Sequence, residues 1–186
     1  MSGVANILQP LVILAALLAL TPVGGCQGKG DAEGSPTGAS LVGRIAPTLA
    51  GKTTDGERLA LSDLRGQVVL VNVWATWCKP CTAELPELAR MHRIRGPEGF
   101  SVLGVSVDKR QRLAKVRTFE QSYQLGYPTL FDPETRAIAN WGVKGYPTSF
   151  LIGRDGTIRW RRDGMIHTDD PELAKQLEAA LAQPAP

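Results

Sequence analysis

Thiols and imidazoles are scarce in this chain: its 186 residues carry three cysteines and two histidines, and aromatic side chains make up only 6%. A structural zinc site wants four ligands, and beside Cys78 and Cys81 only His92 and His167 remain, at no paired spacing. Covalent c-type haem needs a histidine directly after the second cysteine, where Thr82 stands. No metal or cofactor is expected. Excess charge is small as well, 21 basic against 18 acidic residues, and the basic ones are scattered rather than gathered. That excludes a phosphate-binding face, so nucleic acid is no expected partner. Nor does any apolar run reach the roughly 20 residues needed to cross a bilayer.

The longest such run, LVILAALLAL at residues 11–20, lies between Pro10 and Pro22 in a stretch of 25 residues without a charged side chain. It has the shape of a signal peptide, residues 1–25, although its start carries no Lys or Arg. Cys26 closes it in LTPVGGC, which resembles a bacterial lipobox and implies a lipidated cysteine that accounts for the odd thiol. Gly24 departs from that pattern. Residues 27–40, QGKGDAEGSPTGAS, hold no large apolar side chain and read as a flexible tether with a span on the order of 20 Å. The expected domain therefore runs from 41 to 186.

Within it, TTDGERLAL places a turn signal between two strand-like pieces, a hairpin. VVLVNVW, residues 68–74, is a nearly continuous β-branched run, as for a strand buried on both faces. A helix follows from Pro80 to about Arg93, then a strand over 100–107, a helix over 110–121, a short extended piece at 129–131 and a short helix over 135–141. Residues 149–152 and 157–161 form a second hairpin across GRDG, and Asp170-Pro171 opens a closing helix. Hairpin, βαβα and ββα in that order predict an α/β fold with a mixed sheet flanked by helices.

The two clustered cysteines sit in WATWCKPC. A strand ending at Ala75 and a helix starting near Cys78 put that thiol at a helix N-terminus, where the macrodipole favours a thiolate. Cys81, one turn on, suits a resolving thiol. A purely structural bridge stays open, but a loop this short restrains the unfolded chain little.

VVLVNVWATWCKPCTAELPEL resembles the TlpA/ResA branch of the thioredoxin superfamily, with a likeness to the redoxin and AhpC group in LSDLRGQVVLVNVWATWC. The resemblance implies a thioredoxin-like fold in which GVKGYPTSFLI supplies a cis-proline, Pro147, against the redox-active Cys78–Cys81 pair. It also implies an added strand-helix over Phe100 to Asp132. Where thioredoxins carry a buried aspartate, this chain has Asn72. The ResA-like acid three residues after the second cysteine is Glu84, expected beneath the site as the base for Cys81. Trp77 and Tyr146 are expected on the substrate surface, Trp74 in the core, and His92 and His167 on the surface.

The resemblance implies a lipid-tethered protein-disulfide reductase facing the periplasm. Its expected partners are disulfide-bearing exported proteins, apocytochrome c among them, and a membrane thiol donor of the CcdA/DsbD type. Three alternatives remain at this stage. A disulfide oxidase uses the same residues in reverse. A peroxiredoxin has Thr76 available but lacks a proline in residues 71–75. A copper chaperone of the Sco kind spaces its cysteines by three residues rather than two.

Overall fold

The computed structural model describes residues 41–167 and 169–185. The expected signal peptide, the expected lipidation at Cys26 and the expected tether fall on residues outside those described. Strands β1 (Ala50–Lys52) and β2 (Arg58–Ala60) form the expected hairpin, turned at Gly56, whose φ of 94° needs a residue without a Cβ. Strand β3 (Val68–Trp74) is buried at every position and lies in the middle of a five-stranded sheet. Its parallel neighbour is β4 (Phe100–Ser106) and its antiparallel neighbour is β6 (Thr148–Ile152). Strands β5 (Thr129–Phe131) and β7 (Ile158–Asp163) close the edges, in the order β5-β4-β3-β6-β7.

Helix α1 (Lys79–Arg95) links β3 to β4, and α2 (Leu113–Ser122) links β4 to β5. Right-handed crossovers between strands that step in one direction put both helices on the same face. Helix α1 buries Cys81, Glu84, Leu85, Leu88 and Ala89, a stripe at helical spacing. Helix α3 (Pro171–Leu181) is capped by Asp170, whose carboxylate accepts from the N–H groups of Glu172 and Leu173, and it buries Leu173, Leu177 and Ala180. The opposite face is covered in part by Trp141, which meets Phe150 of β6 edge-on at 5.0 Å.

Two expectations need correction. The helix expected over 135–141 is only a tight turn at Ala139–Trp141. Thr135 takes a φ of 55°, and the N–H groups of Arg136, Ala137 and Ile138 donate to the Asp132 carboxylate. That side chain outcompetes the helical carbonyls. The strand expected over 100–107 is β4, which pairs with β3 along seven residues.

The second concerns His92, which is not a surface residue. It is half-buried, and its Nδ1 accepts from the Val102 N–H at 3.3 Å. Strand β5 pairs with β4 only from Gly104 onward, so the imidazole takes the place of a missing strand at Val102. Burial lowers the pKa of His92, against a smaller opposing effect of its bond to the Gly126 backbone.

Candidate active site

The turn after β3 is closed by the Cys78 N–H donating to the Ala75 carbonyl at 3.1 Å. Cys78 is then the N-cap of α1, with extended backbone, and its Sγ accepts from the Cys81 N–H at 3.2 Å. An S–S bond joins the two, with Cα atoms 5.2 Å apart. Lys79 and Pro80 open the helix, where the proline costs no intrahelical bond. Cys78 is 6% exposed and Cys81 not at all, so the outer sulfur is the one at the helix N-terminus.

Pro147 follows a cis peptide bond after Tyr146 and leads into β6. Trp77, 54% exposed, stands edge-on to Tyr146 with centroids 5.7 Å apart. Burial first, and then the charge of Asp132, pushes the Tyr146 hydroxyl pKa up. Trp74 is fully buried. Thus Cys78 and Cys81 begin α1 while Pro147 begins the neighbouring β6, with an aromatic pair flanking them. His167 is exposed, as expected.

Glu84 lies three residues beyond Cys81 on the buried stripe of α1 and is 2% exposed. Its Oε1 accepts from Asn72 Nδ2 at 2.8 Å, and its Oε2 accepts from the Ile166 N–H at 2.7 Å. Burial outweighs both bonds and pushes the carboxyl pKa from 4.5 up to about 7. Asn72 Nδ2 also donates to Ser149 Oγ at 2.9 Å. The strand registers align Thr129, Gly104, Asn72, Ser149 and Arg162 in one row across the sheet. Arg162 in turn binds the Asp170 carboxylate. A polar row therefore crosses the apolar sheet beneath α1, with Glu84 above its centre.

Sequence reasoning missed Asp108. Wholly buried just beyond β4, its carboxylate accepts from the Thr76 N–H at 2.8 Å and the Thr76 hydroxyl at 2.7 Å. The available signal was an acid two residues after a strand of uniformly buried character. Sequence reasoning also missed that Asn72, although unable to titrate, is the group that orients Glu84. No cluster of His, Cys, Asp or Glu suited to a metal ion occurs among the described residues.

The sequence profile of the AhpC/TSA family matches residues 42–161. Thiol-disulfide oxidoreductase ResA of Bacillus cereus (strain ZK / E33L) is 32% identical over 117 residues, 63% of this chain and 66% of that protein. Thiol-disulfide oxidoreductase ResA of Bacillus subtilis (strain 168) is 34% identical over 116 residues, 62% and 64% of the two chains. The match spans just under two thirds of these relatives' own length. A putative thiol:disulfide interchange protein DsbE from Chlorobium tepidum superposes with a TM-score of 0.69 at 33% identity, covering 76% of this chain and 98% of that one. With the CxxC pair at a helix start and the cis-proline on the adjacent strand, the chain belongs to the AhpC/TSA family and is a TlpA/ResA-like member of the thioredoxin superfamily.

Proposed function

We propose that this chain is a thiol-disulfide oxidoreductase that reduces protein disulfides through Cys78 and Cys81. The observation that carries the reading is Glu84, a buried carboxyl one turn beyond the inner thiol, with a pKa of about 7. An acid so placed takes a proton from Cys81 near neutral pH and returns it when the dithiol is restored.

In the reduced protein the Cys78 thiolate attacks one sulfur of a substrate disulfide. The substrate S–S bond breaks as the mixed disulfide forms, and the leaving thiolate takes up a proton. Cys81 then gives its proton to Glu84 and attacks Cys78 Sγ. The second substrate thiolate leaves, and the protein ends with the Cys78–Cys81 bridge. Two electrons have passed to the substrate. Two electrons and two protons must return, and a membrane thiol donor of the CcdA/DsbD type is the proposed source.

The proposed setting is the periplasmic side of a bacterial membrane, with the domain held by a lipidated Cys26. Disulfide-bearing exported proteins are the substrates, including the haem-attachment cysteines of apocytochrome c. The exposed Trp77 and the adjoining Tyr146 give such a chain an apolar surface beside Cys78. Alkylation of both thiols in intact cells after acid quenching tests the direction. A mostly reduced pair supports the reductase, and a mostly oxidised pair points to an oxidase.

Membership of the AhpC/TSA family favours a second reading, peroxide reduction. Against it, the Thr76 hydroxyl is held by Asp108 rather than free beside Cys78. Consumption of hydrogen peroxide at a rate matching disulfide reduction would reverse the order of the two readings.

A further inference from the structure

The turn that presents Cys78 is fastened from below. Val107 N–H donates to the Trp74 carbonyl at 3.0 Å, which ties the end of β4 to the end of β3. Asp108, one residue further, accepts both donors of Thr76, as described above. Its Oδ2 also accepts from Ser106 Oγ at 3.2 Å, and its own N–H donates to that hydroxyl at 3.3 Å. All of these partners are neutral, and Asp108 is fully buried. A buried carboxylate whose hydrogen-bond partners are dipoles, bound to the residue two before Cys78, acts on that thiol through a medium of low dielectric.

Two influences therefore meet at Cys78. The start of α1 favours its thiolate, and the Asp108 charge opposes it. A strongly stabilised thiolate stabilises the reduced form and makes the pair an oxidant, whereas a restrained one leaves it a better electron donor. We propose that Asp108 is a positioning residue that holds Cys78 through Thr76 and, by its charge, restrains the thiolate so that the pair is biased towards reduction of its substrate. This rests on the thiol-exchange reading above. Ionisable groups near the site include Lys79, which opens α1, Glu84 one turn beyond Cys81, Lys109 next to Asp108 in the chain, and Tyr146, which precedes the cis-proline and feels the charge of Asp132.

The test is the pH profile of iodoacetamide alkylation of Cys78 in the reduced full chain, with the reduction potential measured against glutathione. Asp108→Asn keeps the shape and removes the charge. The Cys78 pKa should fall by about one unit, giving tenfold more thiolate at pH below both pKa values and, at pH above the parent pKa, a potential about 30 mV higher. An unchanged or raised pKa overturns the proposal. The double variant Thr76→Val with Ser106→Ala keeps the charge but strips two hydroxyl donors from it. Here the Cys78 pKa should rise, and a fall or no change overturns the proposal even if Asp108→Asn fails to fold. Alkylation needs no turnover, so it decides the role of Asp108 independently. A wild-type protein that never equilibrates with glutathione would instead sink the redox reading itself.

Discussion

At the scale of single residues, Glu84 couples the site to stability. Its carboxyl pKa is raised from 4.5 to about 7 by burial, so the folded state prefers the protonated form. Stability is then full below pH 4.5, falls as pH rises from 4.5 to 7, and stays lowered above 7. At about 1.4 kcal/mol per pKa unit the loss is about 3 kcal/mol. Glu84→Gln abolishes it, because an amide does not titrate: its oxygen still accepts from the Ile166 N–H, and its nitrogen donates to Asn72 once that side-chain amide turns over to present Oδ1, an oxygen without a partner among the described residues of the parent. Urea unfolding should therefore show the variant more stable than the parent at pH 8 and alike at pH 4.5. In the same variant, release of substrate from the mixed disulfide should slow by about 100-fold or more, the usual worth of a positioned base. Glu84 was legible through the family resemblance, which points to the acid three residues after Cys81. Its bond to Ile166 was not, since 82 residues separate the two partners.

At the scale of elements, β4 shows what a strand pattern reveals and what it hides. Residues 100–107 read as a strand from composition alone, but the fit along β4 rests on tertiary contacts. Gly104 makes one of these. A Cβ there would meet Thr129 Oγ1 at 2.8 Å and Cγ2 at 3.2 Å, and a short β-branched side chain on a paired strand has little freedom to move aside. Gly104→Ala should cost about 1–3 kcal/mol of stability by overpacking, read as a lowered urea midpoint with an unchanged slope. His92 makes another. His92→Ala leaves the buried Val102 N–H without its acceptor, worth about 1–3 kcal/mol, and amide exchange at Val102 should accelerate. The histidine's pKa is lowered, so its contribution is present above the ordinary value near 6.5 and is lost as pH falls below it, when Nδ1 gains a proton and stops accepting. Periodicity placed His92 on α1 but said nothing of where β5 begins. The short 135–141 segment failed for a related reason, because Asp132 claims its N–H groups.

Across the whole molecule, the chemistry gathers at one end of the sheet, where β3 and β4 finish and β6 begins. That end was readable because its signals are local: a buried run, then CxxC, and later a Tyr-Pro before a strand. The residues that tune it, Asp108 and Asn72, act across strands and so left no spacing to read. The address proposed for the first 40 residues rests on the compartment that the proposed reductase needs. Exported compartments are oxidising, and a dithiol there stays reduced only beside a membrane donor. A single acyl chain gives marginal membrane binding, so stable anchoring takes at least two, as the lipidated, acylated cysteine of the lipobox resemblance supplies. Cys26→Ser removes the attachment point while leaving Cys78 and Cys81, more than 50 residues on, untouched. Fractionation of a bacterial host should find the parent with membranes and the variant in the soluble fraction. Purified and reduced, both should cleave insulin disulfides at equal rates, while in cells the variant's pair should drift towards the oxidised form for want of its donor. A variant that stays with the membrane would sink the lipid tether, and one that stays reduced in solution would sink the membrane donor.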